Sequence, residues 1–380
     1  MRGLIALALG TFALGIAEFG MMGILGDVAD GIDVSIVDAG HLISAYSLGV
    51  AIGSPALIVF RRLPLKRLMQ ILAAMIFAGN LATAVAPGFT TLLMARLLSG
   101  LPHGAYFGAG AIVAQRLARQ GRGAQSVAVM VAGMTVANVI GVPAATFLCN
   151  LINWRMVFAV VALFGMLALV FITKRVPYLD PLPDTGVKGQ FRFLRNPAPW
   201  LIFAGVFFGQ ASVYCWFSYI EPIMTDIARF TVADMTWIMM LAGLGMVFGN
   251  ALAGKLADRH RASLVTACIA GSLIIIMPAI YLCAPMKIPS LVLMFLATAG
   301  LFGIGGPLQY LIVRYAKGGE MLGGAGIQIA FNVSNAMSAT LGGMAIHHGL
   351  GLASPAAIGA PLALVGTIAL AILYRRYDRR

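Results

Sequence analysis

Residues 174–198, KRVPYLDPLPDTGVKGQFRFLRNPA, form the longest polar break in the chain. Prolines at 177, 181, 183 and 197 exclude a continuous helix there, and Lys174, Arg175, Lys188, Arg192 and Arg195 make the stretch basic. On either side the sequence is almost uniformly apolar. The 380 residues are 60% hydrophobic and 10% charged, with a mean hydropathy of +0.93, whereas an ordinary soluble domain is about 25% charged. Too little polar surface remains to cover a globule in water. A hydrocarbon core about 30 Å thick needs ~20 apolar residues per helix. Six runs of that length precede the break, at about 4–26, 38–60, 68–86, 89–114, 123–149 and 155–173. Six follow it, at about 199–221, 234–254, 263–283, 289–313, 321–346 and 355–374. The expectation is an all-α membrane protein of twelve transmembrane helices in two six-helix bundles, 1–173 and 199–380, joined by the linker 174–198.

The net charge of +13 would suggest nucleic acid in a soluble protein, but here position decides. With twelve spans, 22 of the 26 basic residues fall in loops on one side, three (Arg155, Arg229, Lys287) on the other, and Arg96 inside a span. Seven of the 13 acids, Asp27, Asp30, Asp33 and Asp38 among them, lie on the poorly basic side. The positive-inside rule makes the basic side cytoplasmic and places both termini there. Met1-Arg2-Gly3 leads into an apolar run without a cleavage-like site, so the first run is expected to be a retained span. Cys149, Cys215, Cys268 and Cys283 stand singly in apolar surroundings and read as small hydrophobes, not as a disulfide frame or metal site. A weak internal repeat supports two related bundles: Gly49 and Gly53 recur as Gly245 and Gly249, both at an offset of 196 residues.

Ionisable groups within spans are costly and mark function by default. Glu18 and Arg96 are the two charges that fall clearly inside. Glu18 lies ~21 Å from the basic side of span 1, and Arg96 ~10 Å from the opposite side of span 4, at the rise of an α-helix. They therefore sit at similar depth. Glu18 reads either as a proton carrier whose affinity Arg96 modulates or as half of a static ion pair; Arg96 stays charged and can exchange partners. His103, seven residues after Arg96 on nearly the same face, reads as a proton relay or as a hydrogen-bonded structural group.

Neutral polar residues mark the second half. Gln210 and Tyr214 share a face of span 7, while Gln328, Asn332 and Asn335 form a stripe on span 11. Gln309 and Tyr310 follow Pro307, where a kink is expected, and Asn138 on span 5 joins the set from the first half. Each amide serves equally as helix–helix glue; together they suit an uncharged polar or amphipathic substrate. The spans hold one carboxylate and no paired acids, Ser/His pair or histidine cluster, which excludes an intramembrane enzyme. His347-His348 falls at the outer end of span 11, too exposed for a metal site. No cofactor, metal or nucleic acid is implied.

Several motifs resemble a known family. Arg96–Gly100 (RLLSG) is similar to the span-4 signature of major facilitator antiporters, and Gly133–Pro143 (GMTVANVIGVP) to their span-5 motif. NWRMVF at Asn153–Phe158 resembles the usual start of span 6. AEFGMMG at Ala17–Gly23, SGLPHG at Ser99–Gly104, NPAPWLIF at Asn196–Phe203 and AKGGE at Ala316–Glu320 resemble the AraJ-type sugar-efflux branch of the drug:proton antiporter group. The resemblance covers essentially the whole chain. It implies a monomeric, proton-gradient-driven exporter in a bacterial inner membrane, working by alternating access on a small neutral sugar-like compound, with a chloramphenicol- or multidrug-type exporter as the alternative. It assigns proton coupling to Glu18 and Arg96, and makes Gly141 and Pro143 bending points. The superfamily loop motif is present after span 8 as GKLADR (Gly254, Asp258 and Arg259 at its key positions). After span 2 it is degenerate, since Ile58–Arg62 has no Asp.

Overall fold

The structure, a computed structural model, describes residues 2–34, 36–56, 60, 62–182, 186–231 and 234–378. Backbone groups inside a bilayer find no water to bond, so each crossing segment must satisfy its own N–H and C=O groups, which a helix does. Among the described residues there are accordingly helices and no strands. The first six long helices are α1 (Arg2–Gly23), α2 (Ile36–Ala56), α3 (Leu65–Val85), α4 (Phe89–Arg116), α5 (Gly123–Leu151) and α6 (Trp154–Arg175). The next six are α7 (Pro197–Phe217), α8 (Met235–Arg259), α9 (Ala262–Cys283), α10 (Lys287–Tyr315), α11 (Glu320–His347) and α12 (Ser354–Asp378). Ten of these are long and apolar enough to cross a membrane; α2 and α11 have the length, at 21 and 28 residues. Local chemistry sets several starts. The Asn153 side chain accepts the Met156 N–H at 3.1 Å ahead of α6, and Asn196 accepts that of Ala198 at 3.0 Å ahead of α7, where Pro197 occupies the first turn.

The chain forms two compact units, Met1–Arg195 with Ala316–Ile329, and Asn196–Tyr315 with Ala330–Arg380. Each is built by the same helix pairings. In the first, α2 packs on α4, α3 on α4 and α6, and α1 on α6; in the second, α8 packs on α10, α9 on α10 and α12, and α7 on α12. Glycines make the closest of these crossings. A methyl added at Gly49 or Gly53 would overlap the carbonyl of Leu97 or Leu101 on α4, and one at Gly249 would overlap that of Ala299 on α10. At Gly245 the added carbon would lie 2.7 Å from the Phe295 carbonyl. The repeat seen in the sequence is thus a repeat of one backbone-on-backbone contact. In lipid, where there is no hydrophobic drive between helices, such close approach is a principal source of association.

Among the described residues of the first unit, two helices widen into a π turn: α1 at Ile16–Gly20 and α5 at Ala137–Gly141. In α5 the cause is Pro143, which has no N–H to return to the carbonyl four residues earlier. The two turns face each other, since a methyl on Gly15 would meet the Ala137 Cβ at 2.7 Å and one on Gly141 the Ile16 Cγ1 at 2.6 Å. By contrast α10 remains a single helix across Pro307. The four cysteines are unpaired, and Cys268 is exposed, not buried as its apolar setting suggested. In the degenerate loop after α2, Ile58 and Arg61 lie outside the described residues.

Overpacking a crossing typically costs about 1–3 kcal/mol. Gly249→Ala and Gly53→Ala should each lower the thermal unfolding temperature of the detergent-solubilised protein. Gly271→Ala on α9, whose added methyl would have an ordinary 3.7 Å contact with Thr367, should not. Equal behaviour of all three variants would refute the crossing argument.

Candidate functional site

The first unit contains a buried polar cluster centred on α4. Arg96 and His103 are both fully buried, at 0% exposure, and lie two turns apart on one face. Glu18, 5% exposed, lies in the π turn of α1. Arg96 is buried among contacts from three other helices. Its Nη1 donates to the Ala17 carbonyl of α1 at 2.9 Å and its Nε to the Leu42 carbonyl of α2 at 3.4 Å. The guanidinium carbon also stands 4.5 Å from the Tyr46 ring centroid and 5.5 Å from that of Phe158 on α6, a cation–π arrangement that strengthens when desolvated. Arg96 Nη2 and Glu18 Oε2 have no hydrogen-bond partner.

Glu18 and Arg96 are thus neighbours in one cluster, and His103 joins them with its Nε2 3.8 Å from Glu18 Oε2. The other ring nitrogen, Nδ1, is 2.8 Å from the Tyr46 hydroxyl. Phe107 stacks on the imidazole at 5.2 Å, and the Gln328 side chain also reaches it. Gln328 belongs to the first unit through Ala316–Ile329. Sequence reasoning did not single out Tyr46. The available signal was its place three residues before Gly49: the α2–α4 crossing brings the Tyr46 carbonyl against Gly100 and aligns the tyrosine with the face that carries Arg96 and His103.

The remaining singled-out residues lie elsewhere. Asn138 is half-buried within the π turn of α5. In the second unit Gln210, 3% exposed, donates to the Leu301 carbonyl at 3.5 Å and leaves its own carbonyl oxygen without a partner. One turn on, Tyr214 meets Phe331 edge-on at 5.6 Å. Gln309 is buried in α10, while Asn332 and Asn335 are half-buried on the part of α11 that belongs to this unit. Tyr310 instead lines a cavity of about 480 Å³ at the basic end of the unit, together with Asp258, Arg259, Arg261, Arg314 and Asp378. Asp378 is anchored there by the Ser263 hydroxyl at 2.7 Å and by Arg314 at 3.3 Å. Gly254 is buried one turn before Asp258 on α8. His347 and His348 are exposed, and among the described residues no group of three or more His, Cys, Asp or Glu could hold a metal.

The cluster in the first unit combines a carboxyl, an imidazole and a permanent cation in a dry setting. That combination can hold, pass and release a proton. Lysine at position 96 could not reach two carbonyls and lie across two rings at once. Arg96→Lys should therefore lose about 1–3 kcal/mol of stability, read as a lower midpoint in detergent unfolding. A wild-type midpoint would show the cage to be dispensable.

The sequence profile of the Major Facilitator Superfamily matches residues 7–327. The "Putative transporter AraJ" of Escherichia coli (strain K12) is 42% identical over 378 residues, spanning 99% of this chain and 96% of that protein. The "Chloramphenicol resistance protein" of Streptomyces lividans is 27% identical over 357 residues, 92% of this chain and 90% of that one. Among solved structures, the E. coli fucose:proton symporter FucP (N162A) superposes with a TM-score of 0.77 at 14% identity, covering 97% of this chain and 98% of FucP. That likeness concerns the fold.

Proposed function

The chain belongs to the major facilitator superfamily, whose members are membrane transporters of small molecules and not enzymes, and on that premise we propose that it exports a small neutral, sugar-like compound in exchange for protons. The observation that carries this reading is Glu18, a buried carboxyl beside His103 in a cluster that also contains the permanent cation Arg96. A carboxyl at that depth is costly when ionised and far less so when protonated. A modest rearrangement of Arg96 or His103 is then enough to load or release the proton. Glu18 carries the proton, Arg96 exchanges partners while keeping its charge, and His103 relays. The proton gradient supplies the energy and no cofactor is needed.

Asn138, Gln210, Tyr214, Gln309, Tyr310, Gln328, Asn332 and Asn335 are the groups for hydroxyl recognition, since amides and phenols both donate and accept. Access alternates between the halves 1–173 and 199–380 across the linker 174–198, with bending at Gly141 and Pro143 and with Gly254, Asp258 and Arg259, at the end of α8, holding one end state. The 22-to-3 division of basic residues supports both termini being cytoplasmic; the likeness to AraJ of E. coli supports a bacterial inner membrane, where the chain works as a monomer. The second reading is export of an amphipathic drug. It is favoured by the relative named for chloramphenicol resistance and by the aromatic pair Tyr214–Phe331.

Proteoliposomes containing an internal pH dye test both readings, with arabinose, lactose and chloramphenicol as probes. Wild type should move protons on addition of a sugar, and Glu18→Gln should lose at least about tenfold of that flux, as expected for removal of an essential proton-transfer group. A response to chloramphenicol alone selects the second reading. Undiminished flux in Glu18→Gln removes Glu18 from the coupling mechanism.

A further inference from the structure

Tyr46 is one of the largest fully buried side chains of the protein, and its hydroxyl touches an imidazole rather than a backbone carbonyl. We propose that Tyr46 is a positioning residue: by donating its hydroxyl hydrogen to His103 Nδ1, it fixes the imidazole as the Nε2–H tautomer and so holds an N–H toward the carboxylate of Glu18. The consequence for transport rests on Glu18 being the proton carrier; the assignment of the tautomer does not.

The argument is one of donors and acceptors. A neutral imidazole has one N–H and one lone pair, and the partner of either nitrogen decides which is which. At 2.8 Å the Tyr46 oxygen and His103 Nδ1 share one hydrogen. A phenol is a good donor and a poor acceptor, whereas an imine nitrogen is a strong acceptor. The Arg96 guanidinium against the same ring draws electron density from the hydroxyl and reinforces donation. With Nδ1 accepting, the proton lies on Nε2, the atom 3.8 Å from Glu18 Oε2. The Gln328 amide that also reaches the ring can donate or accept, so it fits either tautomer and does not choose between them.

Among the described residues, the ionisable groups that face Glu18 are Arg96 and His103 from α4 and Tyr46 from α2. The α5 residues set against its turn are Ala137, Gly141 and Ala145, and α6 contributes Phe158 beside Arg96. An Nε2–H pointed at Glu18 stabilises the carboxylate and favours proton release. When Glu18 takes up a proton, its hydroxyl needs an acceptor, and His103 can provide one only by moving its own hydrogen to Nδ1 and turning the Tyr46 hydroxyl away. Protonation of Glu18 is therefore registered on α2, through a neutral histidine that never has to become an imidazolium.

Phenylalanine at position 46 isolates the hydroxyl, because it keeps the ring that faces Arg96. The test is the nitrogen NMR spectrum of 15N-histidine-labelled protein, with His103 assigned by its loss in His103→Gln. Wild type should show His103 as the Nε2–H tautomer at neutral pH, and Tyr46→Phe a mixture of both tautomers. The pH at which the His103 signals respond to Glu18 should move alkaline in Tyr46→Phe, because part of the population no longer turns an N–H dipole toward the carboxylate. Glu18→Gln should abolish that response and leave the wild-type tautomer in place. An Nδ1–H tautomer in wild type, or identical tautomer populations in wild type and Tyr46→Phe, would overturn the proposal. A response that survives in Glu18→Gln would instead remove Glu18 as its source and leave the tautomer assignment standing.

Discussion

A guanidinium at 0% exposure inside a membrane protein must be repaid for its lost hydration, and the way Arg96 is repaid organises the first unit. Its donors go to backbone carbonyls of α1 and α2, and its faces to rings on α2 and α6. One side chain on α4 thus ties three other helices at one level. The Ala17 carbonyl it uses lies in the π turn that also carries Glu18, so the position of the carboxyl and the position of the cation are set by the same contact. Burying one charge with many partial partners is an alternative to burying two charges as a pair, where desolvation of both ions can exceed their attraction.

That arrangement requires helices that approach very closely, and glycine permits it. Gly49 and Gly53 let α2 ride on the α4 carbonyls, which brings Tyr46 within a hydrogen bond of His103. The second unit repeats the crossing with Gly245 and Gly249 against α10 but carries no charge at the corresponding place. Among the described residues its buried side-chain amides are Gln210, Asn250 and Gln309, with buried hydroxyls such as that of Thr298 beside them. The same crossing therefore carries a buried charged cluster in one unit and buried amides in the other.

Much of this was legible in the sequence. Helix number and boundaries follow from apolar length and the basic loops, because a bilayer leaves so few alternatives. Counting residues from opposite sides placed Glu18 and Arg96 at the same depth, and the 196-residue glycine offset found the repeated crossing. Other features had little or no sequence signal. Tyr46 is an aromatic in an apolar run, marked only by its place three residues before Gly49. The π turn around Glu18 lies where Gly15 packs closely on Ala137 of α5, a contact between distant segments. Asp378, near the end of the chain, reads as part of a charged tail, yet it is buried against Ser263, 115 residues away. The grouping of Ala316–Ile329 with the first unit likewise rests on contacts such as that of Gly108 with Met321 and Ala325, which no local pattern announces.

The most direct test of the central claim, that Glu18 exchanges a proton within the Arg96 cage, is infrared difference spectroscopy of the purified protein between mildly acidic and mildly alkaline buffer. The account predicts a carbonyl-stretch band of a protonated carboxylic acid that disappears as pH rises and is missing from Glu18→Gln. A difference spectrum unchanged by that substitution would mean that Glu18 keeps one protonation state, and would contradict the account.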